Sequence, residues 1–455
     1  MPSNLRVLAA FLLAFCFASV APTNAQTRQR DEGKRTKKPK TSRDLMVRSR
    51  YAGETSLLNG VDLELHSAVT SDNNVFGLNT HKQGDVLFQE GASFSLLTRR
   101  QAWDLWLQYR PDYVFYKSAS SINQFTHGFD FDTDYRVTRH VTVRLKDSLA
   151  YESGVMLPRL NADFALPVGL PATLNTTIFT PTARAFSNQA GFDTTIQFSR
   201  RSSFDLTTAY AFRRLSHLGP TVANFFNTRG VSGGFGFQYR ANERLTIGPR
   251  FLYQDYRFGS VARDQTQSVF LNVLWDMGPS LSISAFGGPQ YSNANGQFLR
   301  RSTDPTQPPY VFVPGGHKGW NMAGGASVSL RAEKTLLRFS AQRIVSDGGG
   351  LLTAVTNTSE AVELRRRLTR YWDIVLTGSN ARSLSLPGAF GRGQVDAQSF
   401  GVALERPIKE NLSVHGEFNF LRQRTNQIVP FEANMNRNRV MIGLFYRIGT
   451  YKLGQ

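Results

Sequence analysis

The chain has 455 residues, with 53 Lys/Arg against 34 Asp/Glu for a net charge of +19, and a single cysteine. One cysteine excludes a fold stapled by its own disulfides. Beyond one short run at the N-terminus, read as a cleaved signal with an uncleaved membrane anchor as the alternative, no apolar stretch approaches the roughly 20 residues of a spanning helix.

Residues 1–25 read as a secretory signal peptide. Arg6 precedes an apolar run from Val7 to Val20, and small residues lead to a cut between Ala25 and Gln26. Cys16 lies inside that run and follows Phe15, where a lipoprotein signal needs a small residue, so the mature chain has no thiol. Residues 26–50, including "TRQRDEGKRTKKPKTSRDL", form a basic periplasmic tail with no apolar pattern, expected to be disordered. The tail either meets anionic headgroups or a cell-wall polymer, or is a solvated leader. An exported chain has no use for nucleic acid, so the basic balance is not read as a nucleic-acid partner. Residues 1–50 hold 11 Lys/Arg and 3 Asp/Glu, which leaves 42 and 31, a net +11, for residues 51–455.

From residue 51 onward apolar and polar side chains alternate with period two, the mark of strands with one apolar and one polar face. Strands are predicted over 53–72, 83–98, 101–116, 124–138, 140–154, 184–199, 202–216, 230–241 and 243–259. They continue over 262–277, 280–295, 318–333, 335–348, 354–369, 371–386, 394–409, 411–426 and 437–449. In "AWDLWLQYRPDYVFY", Trp103, Leu105, Leu107 and Tyr109 oppose Asp104, Trp106, Gln108 and Arg110. In "RLTIGPRFLY", Leu245, Ile247, Phe251 and Tyr253 oppose Thr246, Gly248, Arg250 and Leu252. Very short turns fall near Arg100, Thr138, Arg201, Asn242, Pro279, Lys334, Arg370 and Glu410. Longer Gly/Pro/Asn-rich segments alternate with them, the longest expected at 155–183 and 296–317. Short turns on one side and long loops on the other belong to outer-membrane barrels.

The fold expected is therefore all-β, a transmembrane antiparallel β-barrel of about 18 strands (16–20), occupying residues 51–455. A soluble sandwich also alternates, but three observations favour lipid on the apolar face. Aromatic residues sit near strand ends (Trp103, Tyr135, Tyr239, Trp372, Tyr446), the opposite face is densely charged, and the chain is exported. The repeated hairpins, such as "YRVTRHVTV", "RRLTRYWDIV" and "ERPIKENLSV", resemble those of bacterial outer-membrane β-barrels of the porin-like kind. The last strand, "NRVMIGLFYRIG", is similar to the C-terminal signal read by the barrel-assembly machinery, with Gly443, Tyr446 and Ile448 at the matching spacing. It departs from that signal in lacking a terminal aromatic, since "TYKLGQ" follows, and in having Met441 at a polar position. The resemblance implies an outer-membrane protein of a Gram-negative bacterium, with outer-membrane lipid and the assembly machinery as partners.

Charge on a lipid face costs about 2–4 kcal/mol at mid-membrane for Arg or Lys, so charged residues should point inward. The lining then comprises Asp104, Arg110, Asp112, Asp130, Asp132, Asp134, Arg136, Arg144, Lys146, Asp205, Arg213, Arg250, Asp276, Arg338, Glu363, Arg365, Arg367, Asp373, Glu405, His415, Glu417, Arg439 and Arg447. Acids concentrate on early strands ("FDFDTDYR") and bases on later ones ("ELRRRLTR"), which predicts opposed walls, a transverse field and mild anion preference. The alternative is that these charges pair across the lumen and fill it. Asp147 shares a face with Val143, Leu145 and Leu149. Either a bulge resets the phase there, or that face is covered by another copy in a homo-oligomer. Arg366 is out of phase too, but close enough to a turn to snorkel.

The seven histidines form no H-E-x-x-H motif, and neither G-x-S-x-G nor a P-loop occurs. His415 beside Glu417 lacks a locally placed nucleophile, and Asp130, Asp132 and Asp134 lack the loop geometry of a calcium site. No catalytic residue, metal or cofactor is expected. The function expected is a passive channel for polar or anionic solutes, extending to export of an acidic exopolysaccharide. The other readings are a non-conducting barrel that anchors an envelope assembly, and a barrel enzyme. The segment 155–183 is long enough to fold inward as a constriction.

Overall fold

A computed structural model describes residues 60–79, 81–153, 174–175, 177–180, 183–217, 226–301, 310–386, 393–426 and 434–452. The signal peptide expected at 1–25 and the basic tail expected at 26–50 lie outside these residues.

Eighteen strands follow one another around a closed cylinder. They are β1 (Gly60–Asp72), β2 (Asp85–Arg99), β3 (Trp103–Tyr116), β4 (Gln124–Arg136), β5 (Val141–Ser153), β6 (Ala183–Gln197), β7 (Ser202–His217), β8 (Thr228–Arg240) and β9 (Leu245–Phe258). The second half comprises β10 (Ala262–Asp276), β11 (Leu281–Arg301), β12 (Tyr310–Arg331), β13 (Thr335–Asp347), β14 (Ala354–Arg367), β15 (Asp373–Ser385), β16 (Gln394–Lys409), β17 (Leu412–Thr425) and β18 (Met435–Lys452). Each pairs antiparallel with the next, and β1 closes on β18 from Gly60↔Lys452 to Asp72↔Arg439. Closure leaves no strand edge unpaired along that seam, the condition for a sheet to stand in lipid.

The alternation resolves into two faces. Leu206, Tyr210, Phe235, Phe237, Val269, Leu271, Phe339, Ile442 and Leu444 are exposed on the outside. Inward positions between them include small or polar buried residues such as Thr207, Ala209, Ala211, Ser232 and Thr266, together with Leu252 and Phe270, which pack with Ala323 in one apolar cluster. Trp103, Tyr135, Tyr239 and Tyr446 stand exposed at the tight-turn ends of their strands, while Trp372 lies under the Arg406 guanidinium, 5.3 Å from its ring centre. In "RLTIGPRFLY" the outward set is Leu245, Ile247, Pro249, Phe251 and Tyr253. Gly248 is required there because a Cβ would lie 1.7 Å from the Phe237 carbonyl oxygen.

One expectation is corrected, and one of the two alternatives for Asp147 is removed. Residues 296–317 are not a long loop: β11 runs to Arg301 and β12 begins at Tyr310, paired from Gly296↔Gly315 to Arg301↔Tyr310. The Gly/Pro/Asn content masked the strand-forming "QFLRR" and "YVFV". Asp147 lies on no bulge, since its pairing is continuous to Phe131 on β4 and Ala190 on β5's other neighbour, β6. It faces outward and accepts a 2.6 Å hydrogen bond from Asn188 Nδ2, a polar pair within the apolar belt. Arg366 also faces outward, exposed, one residue from the end of β14.

Between β12 and β13 the pairing covers only Gly324↔Arg343 to Arg331↔Leu336. Above it the end of β13 turns into the lumen, where the Val345 backbone N–H reaches Gln290 Oε1 on β11. This inward bend leaves Trp320 and Met322 highly exposed on the outside of β12.

Candidate functional site: the lumen and its inserted segment

Inward-facing positions carry charge along the height of the lumen. They comprise Asp104, Arg110 and Asp112 on β3, Asp130, Asp132, Asp134 and Arg136 on β4, Arg144 and Lys146 on β5, Asp205 and Arg213 on β7, Arg250 on β9, and Asp276 on β10. Further round they comprise Arg338 on β13, Glu363, Arg365 and Arg367 on β14, Asp373 on β15, Glu405 on β16, His415 and Glu417 on β17, and Arg439 and Arg447 on β18.

Ion pairs tie neighbouring strands together along the wall. Arg110 reaches Asp130 at 2.6 Å, Arg144 Nε reaches Asp132 at 2.8 Å and Asp134 at 3.7 Å, and Lys146 reaches Asp193 at 3.8 Å. Arg338 meets Glu363 at 3.3 Å, and Asp373 lies between Arg365 and Arg367 at 3.8 and 3.6 Å. At the β18–β1 seam Arg447 meets Asp62 at 3.3 Å. Higher up that seam the buried Asp72 accepts from Arg437 Nε at 2.8 Å, with Arg439 at 3.6 Å.

This arrangement corrects the electrostatic expectation. The acids of β4 are matched by Arg110 and Arg144 beside them, Lys146 by Asp193, the bases Arg365 and Arg367 of β14 by Asp373, and Arg338 of β13 by Glu363. The opposed acidic and basic walls are thereby largely cancelled locally. Sequence reasoning missed Asp62, Asp72, Asp193 and Asp347. Asp193 was legible in the alternation of "GFDTTIQF", whereas Asp72 and Asp347 end their strands, where alternation stops.

Two histidine–carboxylate pairs flank one ring. His66 on β1 bonds Asp112 across Gly91 on β2, and His415 bonds Glu417 at 3.1 Å. Phe445 stacks on His66 at 5.5 Å and meets His415 edge-on at 5.7 Å. Gly91 permits the first pair: a Cβ there would stand 2.0 Å from Asp112 Oδ1 and 2.6 Å from His66 Nε2. Among the described residues no cluster of three or more His, Cys, Asp or Glu could hold a metal ion.

The described part of the segment after β5 lies inside the barrel. Asn175 donates its backbone N–H to the fully buried Asp347 at the end of β13 and gives its carbonyl to Arg213 Nη2 on β7 at 3.0 Å. Arg213 Nη1 also meets Asp347 at 3.3 Å, an ion pair spanning strands that are not neighbours. Gln423 on β17 clamps Phe179 at two points: Phe179 N–H donates to Oε1 at 2.8 Å, and Nε2 donates to the Phe179 carbonyl at 2.9 Å. Ile178 packs with Leu351, Leu352, Val355 and Val395, while Phe179 packs on Leu421 and Met435. One segment thus bridges β7, β13 and β17 inside the cylinder, held by side chains whose strands are far apart in sequence.

A closed 18-stranded barrel with an apolar belt outside, an ion-paired wall inside and a segment folded into its lumen is an outer-membrane β-barrel of the porin-like class. No family model matches the chain, and no curated protein matches it. Among solved structures it is similar to Pseudomonas aeruginosa OccK2 (OpdF), with TM-score 0.41 and 11% identity over 86% of this chain and 98% of that one. It is likewise similar to the P. aeruginosa outer membrane protein OpdK, with TM-score 0.41 and 11% identity over 86% and 99%. Acinetobacter baumannii OccAB4 gives TM-score 0.40 and 9% identity over 87% and 98%.

Proposed function

We propose that the chain is a passive outer-membrane channel for small polar solutes with a preference for anions. The observation that carries the reading is the inserted segment around Asn175 and Phe179, clamped by Asp347, Arg213 and Gln423 inside a barrel of a size that leaves an aqueous lumen. A segment held in this way narrows a pore to the dimensions of a small solute. Inward charge supplies a polar path, and the net +11 of residues 51–455 favours anions. The paired wall charges, from Asp104 to Arg447, serve as lining on this reading.

An acidic exopolysaccharide is a wider cargo and requires the inserted segment to leave the lumen. The second reading, a non-conducting barrel that anchors an envelope assembly, draws support from the apolar packing of Ile178, Leu351, Leu352, Val355 and Val395 inside the barrel. On either reading the belt meets outer-membrane lipid, and β18, with Gly443, Tyr446 and Ile448, meets the assembly machinery.

Liposome swelling separates these readings. Vesicles holding the refolded protein are expected to swell with small sugar acids, more slowly with neutral sugars of equal size, and not with a polysaccharide. Equal exclusion of all solutes by folded protein supports the anchor and overturns the channel.

A further inference from the structure

The outer wall carries a polar concavity that solute passage does not use. On β15–β17 the outward positions change from apolar to polar above Phe400, Phe418 and Phe420. Asn380, Arg382, Asp396, Gln398, Arg422 and Arg424 line a cavity of about 350 Å³ there. The strand ladder sets Asn380, Gln398 and Arg422 in one row and Arg382, Asp396 and Arg424 in the next. Arg382 Nε donates to Asp396 at 3.1 Å and Gln394 adds a second donor, so that carboxylate is already engaged. Arg422 and Arg424 form no ion pair among the described residues, and Arg422 Nε is buried without a hydrogen-bond partner. Three guanidinium groups, Arg382, Arg422 and Arg424, thus share one carboxylate on this face, and their like charges repel unless a further anion joins them.

The height of the cavity identifies the anion. From Leu412 at the tight-turn end to Arg422 and Arg424, a rise of about 3.3 Å per residue and a tilt near 40° give about 25–30 Å. The apolar band of such barrels is about 25 Å tall. The cavity therefore opens at the outer margin of the belt, with headgroups beside it and aromatic side chains directly below. We propose that it binds the phosphorylated headgroup of an outer-leaflet glycolipid. Arg422 and Arg424 take the phosphate in the forked geometry that guanidinium offers, and the acyl chains run down over Phe400, Phe418 and Phe420. A free anion would gain nothing from that apolar wall. The proposal rests on the outer-membrane reading of the barrel.

The test is native mass spectrometry of the full refolded chain with diphosphoryl lipid A, with fully dephosphorylated lipid A, and with inorganic phosphate as competitor. Three proteins are compared: the parent, R382Q/R422Q/R424Q, and R229Q/R257Q/R263Q. The last neutralises three outward arginines in one ladder row of β8–β10. Diphosphoryl lipid A is expected to stay on the parent and on the β8–β10 variant. Its retention should fall at least tenfold on the β15–β17 variant and with the dephosphorylated lipid. Equal loss in both variants, or equal retention of dephosphorylated lipid, overturns the site, and full displacement by millimolar phosphate reassigns it to a free anion. Heat-modifiable mobility in bilayers is scored on every sample. Protein that folds there but fails these comparisons overturns this inference alone, while failure of the parent to insert overturns the outer-membrane reading with it.

Discussion

Replacing Gln423 with leucine tests whether the inserted segment is latched as described. Gln423 supplies both a donor and an acceptor to the Phe179 backbone, at 2.9 and 2.8 Å. Leucine keeps the packing volume beside Leu421 and Met435 while removing both bonds. A buried backbone group left without a partner costs about 1–3 kcal/mol. Phe179 is only partly buried and water recovers some of this, so the docked state should lose about 2 kcal/mol. That is a shift of about 30-fold in the docked-to-undocked ratio. Asp347 and Arg213 still hold Asn175, so the segment should come loose at the Phe179 end first. Single-channel recording should then show longer or more frequent high-conductance events and greater open-channel noise, with the barrel's thermal stability unchanged. Traces indistinguishable from the parent would refute the latch.

Three further outcomes follow from the same geometry. Asp72→Asn removes the charge that answers buried Arg437 at the β1–β18 seam. Breaking such a buried ion pair costs about 3–5 kcal/mol, visible as a lower midpoint in guanidinium unfolding of the refolded barrel. Gly91→Ala forces His66 and Asp112 apart, because the new methyl occupies their contact. The expected loss is about 1–3 kcal/mol, read from the temperature at which heat-modifiable mobility disappears. Asp147→Leu with Asn188→Leu removes the outward polar pair and separates the two roles open to it. Higher thermal stability at unchanged mass indicates lipid, whereas loss of a larger species by light scattering indicates contact between copies.

Most of the barrel was legible because period-two alternation is local and repeats. Residues 245–253, 202–213 and 103–110 each declare two faces without reference to any other part of the chain. The tight turns were legible for the same reason. Reading failed where local composition and pairing disagree, as at 296–317, where glycine and proline suggested a loop but "QFLRR" and "YVFV" find each other as strands. The site was less legible. That charged side chains point inward follows from alternation, but which neighbour each meets depends on register. Register turned the expected opposed walls into local pairs such as Arg144 with Asp132. The latch could not be read at all, since Asn175, Arg213, Asp347 and Gln423 are brought together only by closure of the cylinder. Asp147 was visible as an anomaly, but its partner Asn188 lies on the next strand, beyond a long connection.

Planar-bilayer recording of the refolded chain under a salt gradient tests the channel most directly. The account predicts discrete conductance steps with a reversal potential displaced toward that of the anion. Persistent silence from protein with folded, heat-modifiable mobility would contradict it.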